Sequence, residues 1–249
     1  MCGRYTQLMS WRELVALYEI TNLDFKPNLP PRYNAAPTQD LPVVRLSESG
    51  ARELAVMRWG LVPAWAKEIG IGARMINARS EEAAGKPAFR GAYKRRRCLV
   101  PADGFYEWRE QPKAGKGPKS KASRQPYYIS MADGGPMTFA GLWERWTNPA
   151  DGQPVESFTI LTTEANDLVA EIHAKKRMPV ILDQLDFATW LDASGEGGEN
   201  LFRPYPAEAM KAHPVSPEVN KAWDAKSNTI VDHPGLTDPL PEPAQGLLL

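Results

Sequence analysis

Short runs rich in β-branched and aromatic residues recur along this chain, at residues 41–46, 53–59, 97–100, 104–109, 126–131, 137–144 and 155–162. Turn residues separate them, and such runs predict strands. Helical signals are fewer. Residues 10–20 carry a capping box, Ser10 with Glu13, ahead of apolar residues at helical spacing. Residues 165–172 and 184–192 also read as helices, the second with Asp183 as its expected cap. Strands and helices do not alternate as β–α–β units, which excludes a doubly wound parallel fold. The expectation is an α+β chain built on an antiparallel sheet or barrel.

The 249 residues suffice for one full core. A single domain over 1–232 is expected. Within it, 111–125 (QPKAGKGPKSKASRQ) is basic, contains Gly and Pro, and sits between two strands, so it reads as a mobile hairpin loop. The stretch from about 20 to 40 is Pro-rich and reads as irregular. A Pro-rich tail, 233–249, reads as poorly ordered. No apolar run has the length of a membrane span, and the opening MCGRYTQLMS has no signal-peptide core, so a cytoplasmic, membrane-free protein is expected. The formal net charge is +0, so any anion-binding surface must come from local clustering. Cys2 and Cys98 are the only cysteines and lack the paired spacing of a zinc site. Cys98 reads as a buried, inert thiol, and no metal or organic cofactor is expected.

Cys2 has a chemistry of its own. A small second residue permits removal of Met1, and removal leaves a free α-amine beside a thiol. That pair condenses with an aldehyde to an imine, and the sulfur then closes a five-membered thiazolidine. The α-amine has a reference pKa of about 7.7–8.0, so part of it is neutral near pH 7. Taken alone, Cys2 is an incidental residue at a chain end.

Further segments stand in a fixed order with it: MCGRY at the N-terminus, WGLVPAW at 59–65, INAR at 76–79, ADGFYEW at 102–108, LTTEAND at 161–167, IHAKKRMPVIL at 172–182 and HPVS at 213–216. Each is weak singly. Together they resemble the SRAP (SOS response-associated peptidase) family, whose members shield abasic sites at replication forks, and the resemblance runs from residue 2 to about 220. It implies a curved, barrel-like antiparallel sheet flanked by a few helices. It also implies a covalent thiazolidine crosslink between Cys2 and the opened deoxyribose of an abasic site in single-stranded DNA. In that reading Asn77 orients the sugar and the amine, Glu107 is the acid/base beside the amine, and His173 protonates the sugar oxygen. Arg4, Arg79 and Thr162 hold phosphates, and Trp65 and Trp108 pack near the DNA.

Elementary chemistry fits these assignments. An abasic deoxyribose is mostly a closed hemiacetal, and opening it needs a proton donor such as His. Imine formation needs a base for the ammonium proton, which a partly buried Glu supplies. Arg and hydroxyl groups suit phosphates, and aromatic faces suit splayed bases. Each residue also has a plainer reading on its own: Asn77 a turn residue, Glu107 a solvent-facing strand residue, His173 a helix cap, Trp65 and Trp108 core. The run Lys94, Arg95, Arg96, Arg97 reads first as a solvated face. The sequence departs from the family where Ala66 follows Trp65 instead of a second Trp. It also departs after INAR, where neither Lys86 nor Arg90 can be assigned as the family's further basic residue.

Two other functions compete. Cys2, His173 and Asn77 or Glu107 imitate a cysteine peptidase, in its narrowest form one that only removes Met1 autocatalytically. A non-covalent single-strand-binding module needs no Cys2 at all. The partner expected in the leading reading is single-stranded DNA with abasic sites. Replication-fork proteins are possible further partners, and a monomer is expected.

Overall fold

The computed structural model describes residues 2–23, 27–111, 123–192, 198–224 and 229–241. In chain order the elements are β1 (Tyr5–Gln7), α1 (Trp11–Tyr18), β2 (Arg32–Ala35), β3 (Asp40–Leu46), β4 (Arg52–Trp59), β5 (Asn77–Arg79), α2 (Ser80–Ala83), α3 (Arg90–Arg95) and β6 (Arg97–Ala102). They continue with β7 (Gly104–Glu110), β8 (Arg124–Met131), β9 (Met137–Thr147), β10 (Pro154–Glu164), α4 (Asp167–Ala170), β11 (Arg177–Pro179), α5 (Phe187–Leu191) and β12 (Met210–Pro214). Every strand read from the sequence is present, each lengthened by a residue or more.

Five strands close into a barrel in the order β10-β4-β3-β6-β9, with β9 returning to pair with β10. Its pairs are antiparallel except one. β10 runs parallel to β4 through Ser157↔Arg58 and Phe158↔Trp59, then parallel to β5 through Ile160↔Asn77. A second, wholly antiparallel sheet has the order β12-β8-β7-β1-β2. The expectation of an antiparallel barrel thus holds for the fold class, with these parallel pairings added.

Barrel strands bury both faces, which is why they read as nearly continuous apolar runs. Val43, Met57, Cys98, Val100, Phe139 and Ile160 point toward the second sheet, where Tyr5, Ala35, Phe105 and Ile129 meet them. Tyr5 packs edge-on against Trp59 at 5.1 Å and Phe105 against Phe139 at 6.0 Å between centroids. Their alternating neighbours Val44, Leu99 and Leu161 pack outward against Leu14 and Tyr18 of α1 and Phe187 and Trp190 of α5. Each fully buried large side chain contributes about 1.5–3 kcal/mol relative to exposure. Cys98 is fully buried, and burial pushes its thiol pKa far up, as an inert thiol requires.

α1 begins as expected. The Ser10 backbone N–H donates to Glu13 Oε2 at 2.7 Å, and Ser10 Oγ accepts from the Glu13 N–H at 3.4 Å. Other expectations need correction. The helix expected over 165–172 is the single turn α4, capped by Asn166, whose Oδ1 accepts from the Val169 N–H at 2.9 Å. Asp183 makes no cap bond, and its carboxylate accepts from the Tyr205 hydroxyl at 2.9 Å. The Pro-rich stretch before residue 40 contains β2. Residues 233–241, expected to belong to a loose tail, pack on the second sheet. Leu236 is fully buried beside Tyr106 and Tyr128, and the Leu240 N–H donates to Pro214 O at 2.9 Å. Just before them, Asp232 accepts from the Tyr33 and Asn34 N–H groups and from Arg32 Nε, which ties down the edge strand β2. Residues 242–249 lie outside the described residues, as does most of the 111–125 loop, although β7 and β8 do form the expected hairpin, paired out to Glu110↔Arg124. Among the described residues no helix is long and apolar enough to cross a membrane.

The second sheet depends on Gly104. A Cβ there would lie 2.5 Å from the Tyr128 ring and 2.7 Å from Ile129 O. Tyr128 is in turn held by Thr6 of β1, hydroxyl to hydroxyl at 2.9 Å. Gly104→Ala is therefore expected to destabilise the protein by about 2–3 kcal/mol, read as a lower urea midpoint at unchanged m-value. A neutral outcome would mean that the sheet absorbs the methyl group by shifting.

Candidate active site

Cys2 lies just ahead of β1, the strand between β2 and β7 in the second sheet, and it is fully buried. β1 fixes it from one side: the Tyr106 N–H donates to Arg4 O at 3.0 Å, and Tyr5 pairs with Phe105. The barrel holds it from the other. Asn77, the first residue of β5, donates from Nδ2 to Cys2 O at 2.8 Å. β5 itself is anchored by its parallel pairing to β10 and by the indole N–H of Trp59, which donates to Ile76 O at 2.9 Å. Cys2 thus sits where the barrel and the second sheet meet.

Glu107 follows Phe105 by two positions on β7, so it shares the core-facing side of that strand. It is only 2% exposed, against the solvent-facing position that is commoner for a strand Glu. Burial pushes its carboxyl up to about 7, with the positive chain terminus pulling the other way. His173 is supplied by the turn between α4 and β11 and is 8% exposed. Its Nδ1 lies 2.9 Å from Arg177 O and 3.2 Å from the Arg177 N, and which of the two it bonds fixes the tautomer. Its Nε2 is 3.8 Å from Glu107 Oε2, beyond hydrogen-bond length. Burial, then the terminal positive charge, lowers the imidazole to about 4, so His173 is neutral at pH 7. Burial, then the negative charge of Glu107, pushes the Cys2 thiol far above its ordinary range. The Asn77 Oδ1 is buried and has no hydrogen-bond partner.

Cys2, Asn77, Glu107 and His173 therefore converge from β1, β5, β7 and the α4–β11 turn. Arg4 lies beside them, half-buried, and donates from Nη1 to Gly3 O at 2.8 Å, with its Nε unpaired. The other predicted binding residues are placed differently. Arg79 is exposed and paired with Glu82 at 3.2 Å, and Lys86 pairs with the same carboxylate. Thr162 is fully buried: its hydroxyl is bonded to Ala78 O at 3.4 Å and lies 3.3 Å from Arg177 Nη2, so it meets solvent only through Arg177. Trp108 packs over Tyr106 and Val219, and its indole N–H donates to Asn220 Oδ1 at 2.7 Å. Trp65 is 59% exposed, on a cleft that it shares with Lys67, Glu68, Ile71 and Arg74. The basic run splits: Lys94 and Arg95 are exposed, whereas Arg97 is buried between the Tyr93 and Trp190 rings.

The sequence reading overlooked Arg177. Its guanidinium grips Glu81 through both nitrogens, at 2.6 and 2.9 Å, and also donates to Thr162 O. With Arg79, Lys175 and Lys176 it lines a cleft of about 440 Å³ next to the His173 turn. The signal was present in the IHAKKRMPVIL segment, where three cations follow the histidine. Among the described residues no three His, Cys, Asp or Glu side chains gather as a metal site.

Known proteins share this arrangement of chain. The sequence is 36% identical over 236 residues to the abasic site processing protein YoqW of Bacillus subtilis (strain 168), covering 94% of this chain and 100% of that one. It is 32% identical over 220 residues to the abasic site processing protein HMCES of Xenopus tropicalis, covering 80% of this chain and 64% of that protein. A crystal structure of a Bacteroides thetaiotaomicron protein superposes with a TM-score of 0.74 at 26% identity, over 95% of this chain and 99% of that one. One from Bordetella bronchiseptica does so at 0.69 and 30% identity, over 86% and 100%. The sequence model of the family described as SOS response associated peptidase (SRAP) matches residues 1–222, and the chain belongs to that family.

Proposed function

We infer that this protein captures abasic sites in single-stranded DNA by covalent attachment to Cys2, after removal of Met1. The observation that carries the reading is the convergence of a buried N-terminal Cys with Asn77, Glu107 and His173, in a chain whose relatives are named abasic site processing proteins. The chemistry runs in balanced steps. The sugar hemiacetal opens as its O1 proton leaves, the C1′–O4′ bond breaks and O4′ takes up a proton, which frees the aldehyde. The neutral Cys2 amine adds to C1′, and the adduct loses water to give the imine. Sγ then bonds to C1′ while its proton passes to nitrogen, which closes the thiazolidine.

The two shifted groups define a proton path. A neutral imidazole has no spare proton to give. His173 must receive one before it can protonate O4′, and Glu107 is the neighbouring acid. Glu107 takes the proton from the Cys2 ammonium and hands it through His173 to the ring oxygen, once substrate draws the 3.8 Å gap closed. Asn77 holds the Cys2 carbonyl and offers its unpaired Oδ1 to the amine or to a sugar hydroxyl. The cleft of Arg79, Lys175, Lys176 and Arg177 suits backbone phosphates, with Arg177 taking the role that buried Thr162 serves only from behind. The exposed Trp65 suits an unstacked base. A cytoplasmic or nucleoid location follows from this substrate.

The high thiol pKa sets this reading against the peptidase one. A peptidase needs a thiolate to attack first, whereas here the amine attacks first and the thiol closes the ring while still protonated. The deciding assay incubates protein lacking Met1 with single-stranded DNA carrying one abasic site and runs a denaturing gel. A shifted band is expected for the parent, and none for Cys2→Ala, for an N-acetylated terminus or for intact DNA. Crosslinking by the acetylated protein would sink the amine-first scheme. Retention of DNA that salt alone removes would favour a non-covalent binder.

The capture rate should follow a bell-shaped pH profile. Below about 7 Glu107 is protonated and cannot accept the ammonium proton, so the rate falls on acidification. Above the amine pKa of about 8 that proton is no longer available. Glu107→Gln should slow capture by about 10²-fold or more and remove the limb near 7, leaving only the amine's own ionisation near about 8 to lower the rate on acidification. A persisting limb near 7 would assign it to another group.

The same carboxyl links to stability. Its folded pKa is raised, so the folded state binds more protons than the unfolded state between the ordinary Glu range and about 7, and its contribution to stability declines as pH rises through that window. Glu107→Gln is therefore expected to melt higher than the parent at pH 8, and the gap should close by about pH 4.5. A gap independent of pH would show that the carboxylate is not what costs stability.

A further inference from the structure

The pair that moves the proton comes from two elements, β7 and the α4–β11 turn, and its 3.8 Å separation depends on how that turn sits against the strand. A second contact joins the same two elements. Arg109 follows Glu107 by two positions on β7, and Glu171 precedes His173 by two positions on the turn. Arg109 Nη2 lies 3.9 Å from Glu171 Oε2. The inner pair is buried, whereas the outer pair is open to solvent, at 41% and 74% side-chain exposure.

Arg109 is itself held in place. Its guanidinium lies 4.6 Å from the Tyr127 ring centroid, and its Nη1 donates to the Tyr127 hydroxyl at 3.0 Å. Tyr127 stands on β8 directly across from Glu107. Tyr127 thus borders the catalytic carboxylate and props the arginine that reaches the histidine turn. The turn is internally braced by the His173 N–H donating to Val169 O and the Lys176 N–H donating to His173 O, so a pull on Glu171 is transmitted to His173 as a unit.

We propose that Arg109 and Glu171 form a latch, propped by Tyr127, which holds the His173 turn against β7 and keeps His173 within reach of Glu107. Both are positioning residues: they act through His173 and do not touch the substrate. The latch is also adjustable. An exposed ion pair at this distance contributes roughly 0–1 kcal/mol, so it closes the turn without locking it, and salt weakens it.

The test uses the full-length protein and two single variants, Arg109→Ala and Glu171→Gln, with His173 titrated by NMR. The groups facing His173 are Glu107 on β7, Lys175 on its own turn, Arg177 at the start of β11, and the chain terminus. If Arg109 and Glu171 acted only as charges, removing the cation would raise the His173 pKa and removing the anion would lower it. A latch predicts the same sign for both: the freed turn hydrates His173, and its pKa climbs from about 4 toward the ordinary value of 6.5 in each variant. Arg109→Lys, which keeps a cation beside Tyr127 and opposite Glu171, should hold the value closer to that of the parent than Arg109→Ala does. Shifts of opposite sign, or none, overturn the latch, and this readout needs no DNA.

A second readout rests on the covalent-capture reading above. At saturating abasic DNA, each single variant should capture up to about fivefold more slowly, with affinity for intact single-stranded DNA unchanged. A loss of affinity at unchanged saturated rate would make Arg109 a phosphate contact and overturn the proposal. If the parent forms no crosslink at all, the function reading fails while the NMR result still decides the latch.

Discussion

Burial of an ionisable cluster at the junction of two sheets is the constraint on which this structure turns. Cys2, Glu107 and His173 are all withdrawn from water, and each pays the usual desolvation penalty: the acids rise and the base falls. A cluster of that kind survives only in a scaffold rigid enough to prevent water from entering. The closed barrel supplies one wall and the β1–β7–β8 sheet the other. The aromatic contacts of Tyr5 with Trp59 and Phe105 with Phe139 fill the space directly beneath. Gly104, Asp232 and the 233–241 segment matter for the same reason, since each keeps the sheet that carries Cys2 in register.

The strands were legible because the barrel is buried on both faces and its runs are long and apolar. The elements that the sequence did not reveal share a different property: their stability is non-local. β2 pairs with β1 across the whole stretch 8–31 and is also held by Asp232, some 198–200 residues away. β5 is three residues long and exists because β10 and the Trp59 indole fix it. The 233–241 segment is Pro-rich and locally unpromising, yet Leu236 finds a pocket among tyrosines. No local pattern encodes such contacts. The single-turn α4 is the converse case: its residues have helical periodicity, but the chain must turn at once to present His173.

The sequence named candidates for the site and not their states. Ordered motifs supplied Cys2, Asn77, Glu107 and His173, and the structure brings the four together. Sequence could not say that Glu107 faces inward, because on an isolated strand either face is open to a Glu; the pairing of Tyr5 with Phe105 decides it. Nor could it say that His173 is neutral. In the proposed mechanism the expected role of a ready proton donor therefore becomes a relay that depends on Glu107. Nor could sequence say that Thr162 is fully buried, with Arg177 bonded to its carbonyl and hydroxyl oxygens.

In the proposed capture reaction, burial also orders the chemistry in time. A thiol whose pKa burial raises far above neutrality is a poor first nucleophile, which is why the proposed scheme gives the first attack to the amine. Once an imine has formed, its carbon is electrophilic enough for a neutral thiol held within bonding distance, and the thiol proton has a nitrogen to go to. On that proposed scheme, keeping the sulfur protonated protects it from oxidation and from unproductive attack until the imine has formed. The same burial that weakens Cys2 as the first-attacking thiol of a peptidase thus fits the ring closure proposed for it.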